Sequence, residues 1–134
     1  MPKTTPADQL DQVVADDGTV AGDLDLAVVV GTLSSDPVVQ DLPSGSRLVR
    51  YEVTVRDRSP ADSVPVSLFD PTRLPKLVQG DRVVVVGRVR RRFFRAGGAT
   101  RSATEVVATS VSRTRSTSAA ANALLAAVEV LDER

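Results

Sequence analysis

The sequence predicts an all-β fold, a small five-stranded barrel with a short helix between strands 3 and 4 and a C-terminal helix. Three observations carry that expectation. β-Branched runs with period-two alternation recur along the middle of the chain, clusters of Gly, Pro, Ser and Asp separate them, and 134 residues at 42% hydrophobic content supply one core but not two.

Met1 to about Gly22 holds Pro, Thr, Gly and Asp with only isolated apolar residues, too few to offset the entropy of ordering. Residues 1–22 are therefore expected to be a disordered acidic extension, residues 23–112 the barrel, and residues 113–134 a linker and amphipathic helix. The first strand is Leu24 to Leu33, with Gly31 as a bulge or bend, and Ser34-Ser35-Asp36-Pro37 breaks it. Residues 38–46 form a hairpin-like arm that turns at Pro43-Ser44-Gly45-Ser46. The second strand, Arg47 to Arg56, puts Val49, Tyr51, Val53 and Val55 on one face and Leu48, Arg50, Glu52, Thr54 and Arg56 on the other.

The third strand, Ser63 to Phe69, turns Val64, Val66 and Leu68 inward and Phe69 outward. Residues 72–79 are expected to hold the short helical turn despite Pro75. In the fourth strand, Arg82 to Phe94, the alternation sends Val83, Val85, Gly87 and Val89 inward and Val84, Val86, Arg88, Arg90, Arg92 and Phe94 outward. Adjacent strand residues point oppositely, so Phe93 is expected in the core if Phe94 is outside. Arg95 to Arg101, with Gly97-Gly98, reads as a flexible basic tip, and Ser102 to Val111 returns as the fifth strand. Five strands with one helical insert fit an oligonucleotide/oligosaccharide-binding (OB) fold. In the last segment, Ala119 to Leu131 reads as a helix with Leu124, Leu125, Val128 and Leu131 on one face.

The formal net charge of zero hides a segregation. Before residue 45 eight aspartates face Lys3 alone, whereas residues 45–115 carry fifteen Lys and Arg against six Asp and Glu. A local excess of this size is a footprint for a polyanion. Single-stranded nucleic acid requires cations along its phosphates and flat apolar side chains under its bases. Arg88, Arg90, Arg92 and Phe94 offer both on one strand face. Phe69, Arg50, Arg56, Arg95 and Arg101 complete the candidate binding set.

Cysteine and histidine are both absent, which removes thiolate chemistry, the usual general base and the commonest metal ligands. No phosphate loop of the GxxxxGK[ST] type occurs, and no acidic cluster has metal-ligand spacing. The reading assigns no catalytic residue, no metal and no cofactor. No stretch reaches the ~18 apolar residues of a membrane span. Residues 1–25 are acidic where a signal peptide is basic and then apolar, so the expected location is cytoplasmic, with no membrane partner.

The blocks AVVVGTLSSDPVV, LPSGSRLVRYEVTV, VPVSLFD, DRVVVVGRVRRRFF and TEVV, in this order and spacing, resemble the bacterial single-stranded DNA-binding protein family from about Leu24 to Val111. The resemblance implies sequence-nonspecific binding of single-stranded DNA in replication, recombination or repair, by a homo-oligomer, a tetramer or dimer. It also implies that Phe69 and Phe94 match aromatic positions that stack on bases, with the arginines of the fourth strand along the DNA path. Two further aromatic positions of the family, one matching Ser63 and one in the loop near Arg58 to Asp62, hold no tryptophan here. The chain ends in Leu131-Asp132-Glu133-Arg134 where the family carries an acidic tip with Ile-Pro-Phe that recruits replication and repair proteins. These departures leave a second reading open, an OB-fold interaction module of a replication or repair assembly with weak or no DNA binding.

Overall fold

The computed structural model describes residues 22–132. The acidic extension expected over residues 1–22 lies, except for Gly22, outside the described residues. Six strands precede one helix: β1 (Ala27–Leu33), β2 (Val38–Asp41), β3 (Arg47–Val55), β4 (Asp62–Phe69), β5 (Arg82–Ala96), β6 (Ala99–Arg113) and α1 (Thr117–Asp132).

The strands form one sheet in the order β1-β5-β6-β4-β3-β2, and β1 also pairs with β3, so five of them close a ring. β1 runs along β5 from Ala27 to Thr32 and meets β3 at Thr32 and Leu33, while β2 continues along the same edge of β3 from Arg47 to Arg50. Gly31 stands where β1 crosses from one neighbour to the other. A Cβ there would collide with the Thr54 carbonyl and the Val53 side chain, so the close approach requires glycine. All pairings are antiparallel except a short parallel one, Val66–Ser67 against Val106–Val107, which joins β4 to β6. This arrangement is consistent with an OB fold, with β2 as a sixth, edge strand.

Valine fills the ring. Leu33, Val49, Tyr51, Val53, Val66, Leu68, Val83, Val85, Val106 and Val111 pack with Leu77 and Ala108 into one buried cluster, as the alternation in β3, β4 and the first half of β5 predicts. Burying an aliphatic side chain of this kind contributes about 1.5–3 kcal/mol. Tyr51 is the cluster's only aromatic ring, and its hydroxyl is buried without a hydrogen-bond partner. That burial pushes its pKa up.

Three sequence expectations need correction. The short helix between strands 3 and 4, placed over residues 72–79, does not form: the chain from Asp70 to Gly80 is irregular. Pro75 disfavours helical backbone at Leu74, and side chains satisfy the amides further on. The Val78 amide donates to Asp81 Oδ2 at 2.9 Å and the Gln79 amide to Asp36 Oδ1 at 2.8 Å. Second, the inward alternation of β5 ends with the ring. β1 pairs with β5 only as far as Gly87, and β4 pairs with β6 only at Val106 and Val107. Residues 88–96 therefore pair only with residues 99–107, as a two-stranded ribbon about 27 Å long. Val89 and Phe93, expected inside, stand on that ribbon and are exposed, Phe93 by 64%. The ribbon's tip is also shorter than the expected Arg95 to Arg101. Gly97 and Gly98, both at positive φ, make a two-residue turn between strands that extend to Ala96 and resume at Ala99.

The third correction concerns α1, which Ser116 caps by accepting the Ala119 amide on its Oγ at 3.1 Å. The stripe expected to be its buried face does not dock as a unit: Leu124 and Leu125 are exposed and Val128 is half-buried, while Ala127 is buried and Ala120 and Ala123 half-buried. The Leu131 side chain lies outside those described. Alanines let the helix approach β5 closely, and a cavity of about 350 Å³ remains between Ala123 and Ala127 on one side and Val86 and Arg88 on the other. No helix among the described residues is long and apolar enough to cross a membrane.

Candidate nucleic-acid interface

Residues directly opposite in paired strands share a face of the sheet. On the outer face of the ring, Arg50 of β3 lies opposite Ser67 of β4, Ser67 opposite Val107 of β6, and Val107 opposite Arg88 of β5. These four residues form one row across the sheet, roughly 14 Å wide, with an arginine at each end. Along the ribbon the same face continues as Arg90 opposite Glu105, Arg92 opposite Ala103, and Phe94 opposite Arg101.

A bulge makes this continuity possible. The β5–β6 register shifts next to Gly87, which lies opposite Ala108, while Val86 lies opposite Ser110, so Thr109 is the extra residue. Its hydroxyl donates to the Val86 carbonyl at 3.0 Å. Gly87 is required because a Cβ would collide with the Val107 carbonyl and come within 2.8 Å of the Ala108 Cα. Beyond the bulge β5 carries its arginines out of the ring. The Val89 amide, just past the end of β1, donates to Asp25 Oδ1 at 2.8 Å, which caps the exposed edge.

Phe69 ends β4, where the backbone is tied back to β3. The Asp70 amide donates to the Arg47 carbonyl at 2.7 Å, and the Arg47 amide donates to Asp70 Oδ1 at 2.8 Å. Asp70 adopts a φ of 46°, which an aspartate tolerates better than most residues. Phe69 is 37% exposed, and the Arg90 guanidinium lies 5.5 Å from its ring centroid. Arg92 lies 5.3 Å from the ring of Phe94, also 37% exposed. Both phenylalanines thus present a ring with a cation against it.

Glu105 is the member of this face that sequence reasoning missed. Its carboxylate, with a side chain only 10% exposed, accepts from Arg90 Nη2 at 2.6 Å and from Ser67 Oγ at 2.9 Å. Burial pushes its pKa up, but the hydrogen bonds from Arg90 and Ser67 and the positive charge of Arg90 and Arg92 outweigh it and hold the carboxyl below the usual range. The available signal was its position as the sole acid between Arg82 and Arg113. Glu105 neutralises Arg90, whereas Arg50, Arg88, Arg92 and Arg101 make no ion pair among the described residues.

The remaining candidates lie elsewhere. Arg95 falls on the opposite face of the ribbon, opposite Thr100, and its Nη2 donates to the Gly98 carbonyl at 3.0 Å. Arg56 follows the end of β3, six residues and about 20 Å along the chain from Arg50. No group of His, Cys, Asp or Glu among the described residues is arranged to hold a metal ion.

The sequence model of the single-strand binding protein family matches residues 25–114, which span the whole ring and the ribbon. No curated protein sequence matches the chain.

Proposed function

Because the chain belongs to the single-strand binding protein family, whose domain implies single-stranded DNA binding, we propose that it holds single-stranded DNA without sequence preference during replication, recombination or repair. The observation that carries this reading is the outer face of β3, β4, β6 and β5. Two exposed phenylalanine rings backed by arginines stand there beside Arg50, Arg88, Arg92 and Arg101, which make no ion pair among the described residues. Bases stack on the rings and phosphates replace their counterions with guanidinium groups. Neither contact reads a base edge, so the specificity is for strandedness. On this reading the protein acts stoichiometrically, as a homo-oligomer in the cytoplasm, and catalyses no reaction. Arg56 and Arg95 extend the path beyond the central face.

The test is a titration of single-stranded and duplex oligonucleotides at several salt concentrations. Single strands should bind tighter, with log K falling linearly against log salt by about 0.7 per phosphate neutralised. Equal affinity for both forms, or none for either, would replace this reading with the interaction module, for which the exposed Leu124 and Leu125 of α1 supply a surface.

A further inference from the structure

The ribbon has a second face. Its β5 residues are Val89, Arg91, Phe93 and Arg95, opposite Val106, Thr104, Ser102 and Thr100 of β6. Resting on the function proposed above, we propose that this face is a second stacking site for single-stranded DNA, with Phe93 as the platform and Arg91 and Arg95 as its phosphate contacts, so that one strand wraps the ribbon.

Phe93 is the most exposed aromatic side chain among the described residues, at 64%, and it contributes nothing to the buried cluster. A phenylalanine on a ribbon that no other strand covers has no packing reason to be there. It is nevertheless set like Phe94. The Arg91 guanidinium lies 5.1 Å from its ring centroid, and Arg91 Nη2 donates to Ser102 Oγ at 3.1 Å, which fixes the cation beside the ring. Arg95 stands two residues beyond Phe93, and its bond to the Gly98 carbonyl holds it at the tip. The order cation, aromatic, cation at a spacing of about 6.8 Å gives a base a flat surface with a positive charge on either side.

The partners of these arginines are neutral. Opposite Arg91, Phe93 and Arg95 stand Thr104, Ser102 and Thr100, three hydroxyls and no carboxylate. At the ribbon's base the Oδ1 of Asp25 is engaged by the Val89 amide. The first face carries Glu105 and spends Arg90 on it, whereas on the second neither Arg91 nor Arg95 makes an ion pair among the described residues. An uncompensated positive face around an exposed ring fits an open-stacked polyanion. Two strands about 4.8 Å apart form a narrow support, so a single strand leaving Phe94 reaches Phe93 by turning round an uncovered edge.

The experiment uses the full-length chain and its Phe93→Ala, Phe94→Ala and Arg91→Gln variants, titrated with oligothymidylates from about 4 to about 16 nucleotides, the span of site sizes known for single OB folds. With the longest oligonucleotide Phe93→Ala should weaken binding about 5- to 150-fold, the equivalent of one base stack, and shorten the length at which affinity stops rising. Arg91→Gln should lower the salt slope by about 0.7 with the same oligonucleotide. Unchanged affinity of Phe93→Ala at every length, while Phe94→Ala binds more weakly, would overturn the second face and leave the proposed function standing. A fall in the mass of the Phe93→Ala assembly with unchanged DNA affinity would overturn it too, by assigning the face to contacts between copies. Failure of the unaltered chain to bind any single strand would overturn both.

Discussion

The ribbon is the continuation of two of the ring's five strands. β5 and β6 each run fifteen residues, and the ring and ribbon portions differ in what lies beside them. Inside the ring, where β1 flanks β5 and β4 flanks β6, β5 reads RVVVVG and buries Val83 and Val85 completely. Outside it the strands read RVRRRFFRA and, until β6 joins β4 at Val106, ATRSATE, pair only with each other, and keep most of their charge and aromatic area in water. The difference teaches that period-two alternation reports on which face a residue occupies, whereas burial depends on whether another element covers that face. Phe93 is on the core's side of the strand but past the end of the core.

The largest contrast should appear in stability. Leu33→Ala removes a side chain 1% exposed at the junction where β1 meets β3, and should cost about 2–5 kcal/mol in denaturant unfolding. Phe93→Ala removes a larger side chain and should change stability by no more than about 0.5 kcal/mol, as expected of a surface position. Comparable losses for the two would mean that the ribbon folds back onto the ring and that the two regions are not distinct.

Next comes affinity. Phe94→Ala and Phe69→Ala should each weaken single-strand binding by about 1–3 kcal/mol while leaving the melting temperature close to that of the unaltered chain. Phe69 is the sharper case, because Asp70 ties it to the ring while Arg90 reaches its ring from the ribbon. A change in stability on Phe69→Ala comparable to that of Leu33→Ala would assign it to the core and shorten the face to the ribbon alone.

How far these features were legible follows from the same division. The ring was readable because apolar residues alternate along β3 and β4, with Val49, Tyr51, Val53, Val66 and Leu68 all buried where the alternation places them, whereas Leu48 and Ser67 on the other face, and Val84 on the outer face of β5, are buried although it places them outside. The ladder Arg88, Arg90, Arg92 and Phe94 was readable for the same reason, since face assignment survives the loss of neighbours. What stayed hidden depended on tertiary partners. The bulge at Thr109 lets Ala108 and Val111, an odd interval apart, both face inward, and no turn residue announces it. The helix face was misread because leucines outrank alanines in hydrophobicity, whereas close approach to a sheet favours the smaller side chain.

Glu105 connects the two regions, taking Ser67 from the ring and Arg90 from the ribbon, and its titration measures that connection. Its folded pKa is depressed relative to the unfolded chain, so its contribution to stability is complete above the unfolded value near about 4.3 and is lost as the pH falls through the folded value. Thermal unfolding followed from neutral pH to below 4 should show the unaltered chain losing stability faster than Glu105→Gln, which keeps an acceptor for Arg90 but does not titrate. Parallel curves for the two would mean that the ring and ribbon are not coupled through this carboxylate.

The smallest effect is the most discriminating, because it separates two arginines of the same ladder two residues apart. Arg90 is already neutralised by Glu105 and reaches Phe69, while Arg92 has no carboxylate within ion-pair distance among the described residues. A cation that keeps its carboxylate releases few counterions when DNA binds, since the phosphate must compete with a partner at 2.6 Å. Arg92→Gln should therefore lower the salt slope by about 0.7. Arg90→Gln should leave the slope near its original value and weaken binding at every salt concentration alike, because it removes the group that positions Phe69 and exposes Glu105 to the DNA. Plots of log K against log salt for the two variants should thus be a rotated line and a displaced one. If Arg90→Gln rotates the line as Arg92→Gln does, DNA strips Arg90 from Glu105 on binding, and the boundary between ring and ribbon rearranges in the complex.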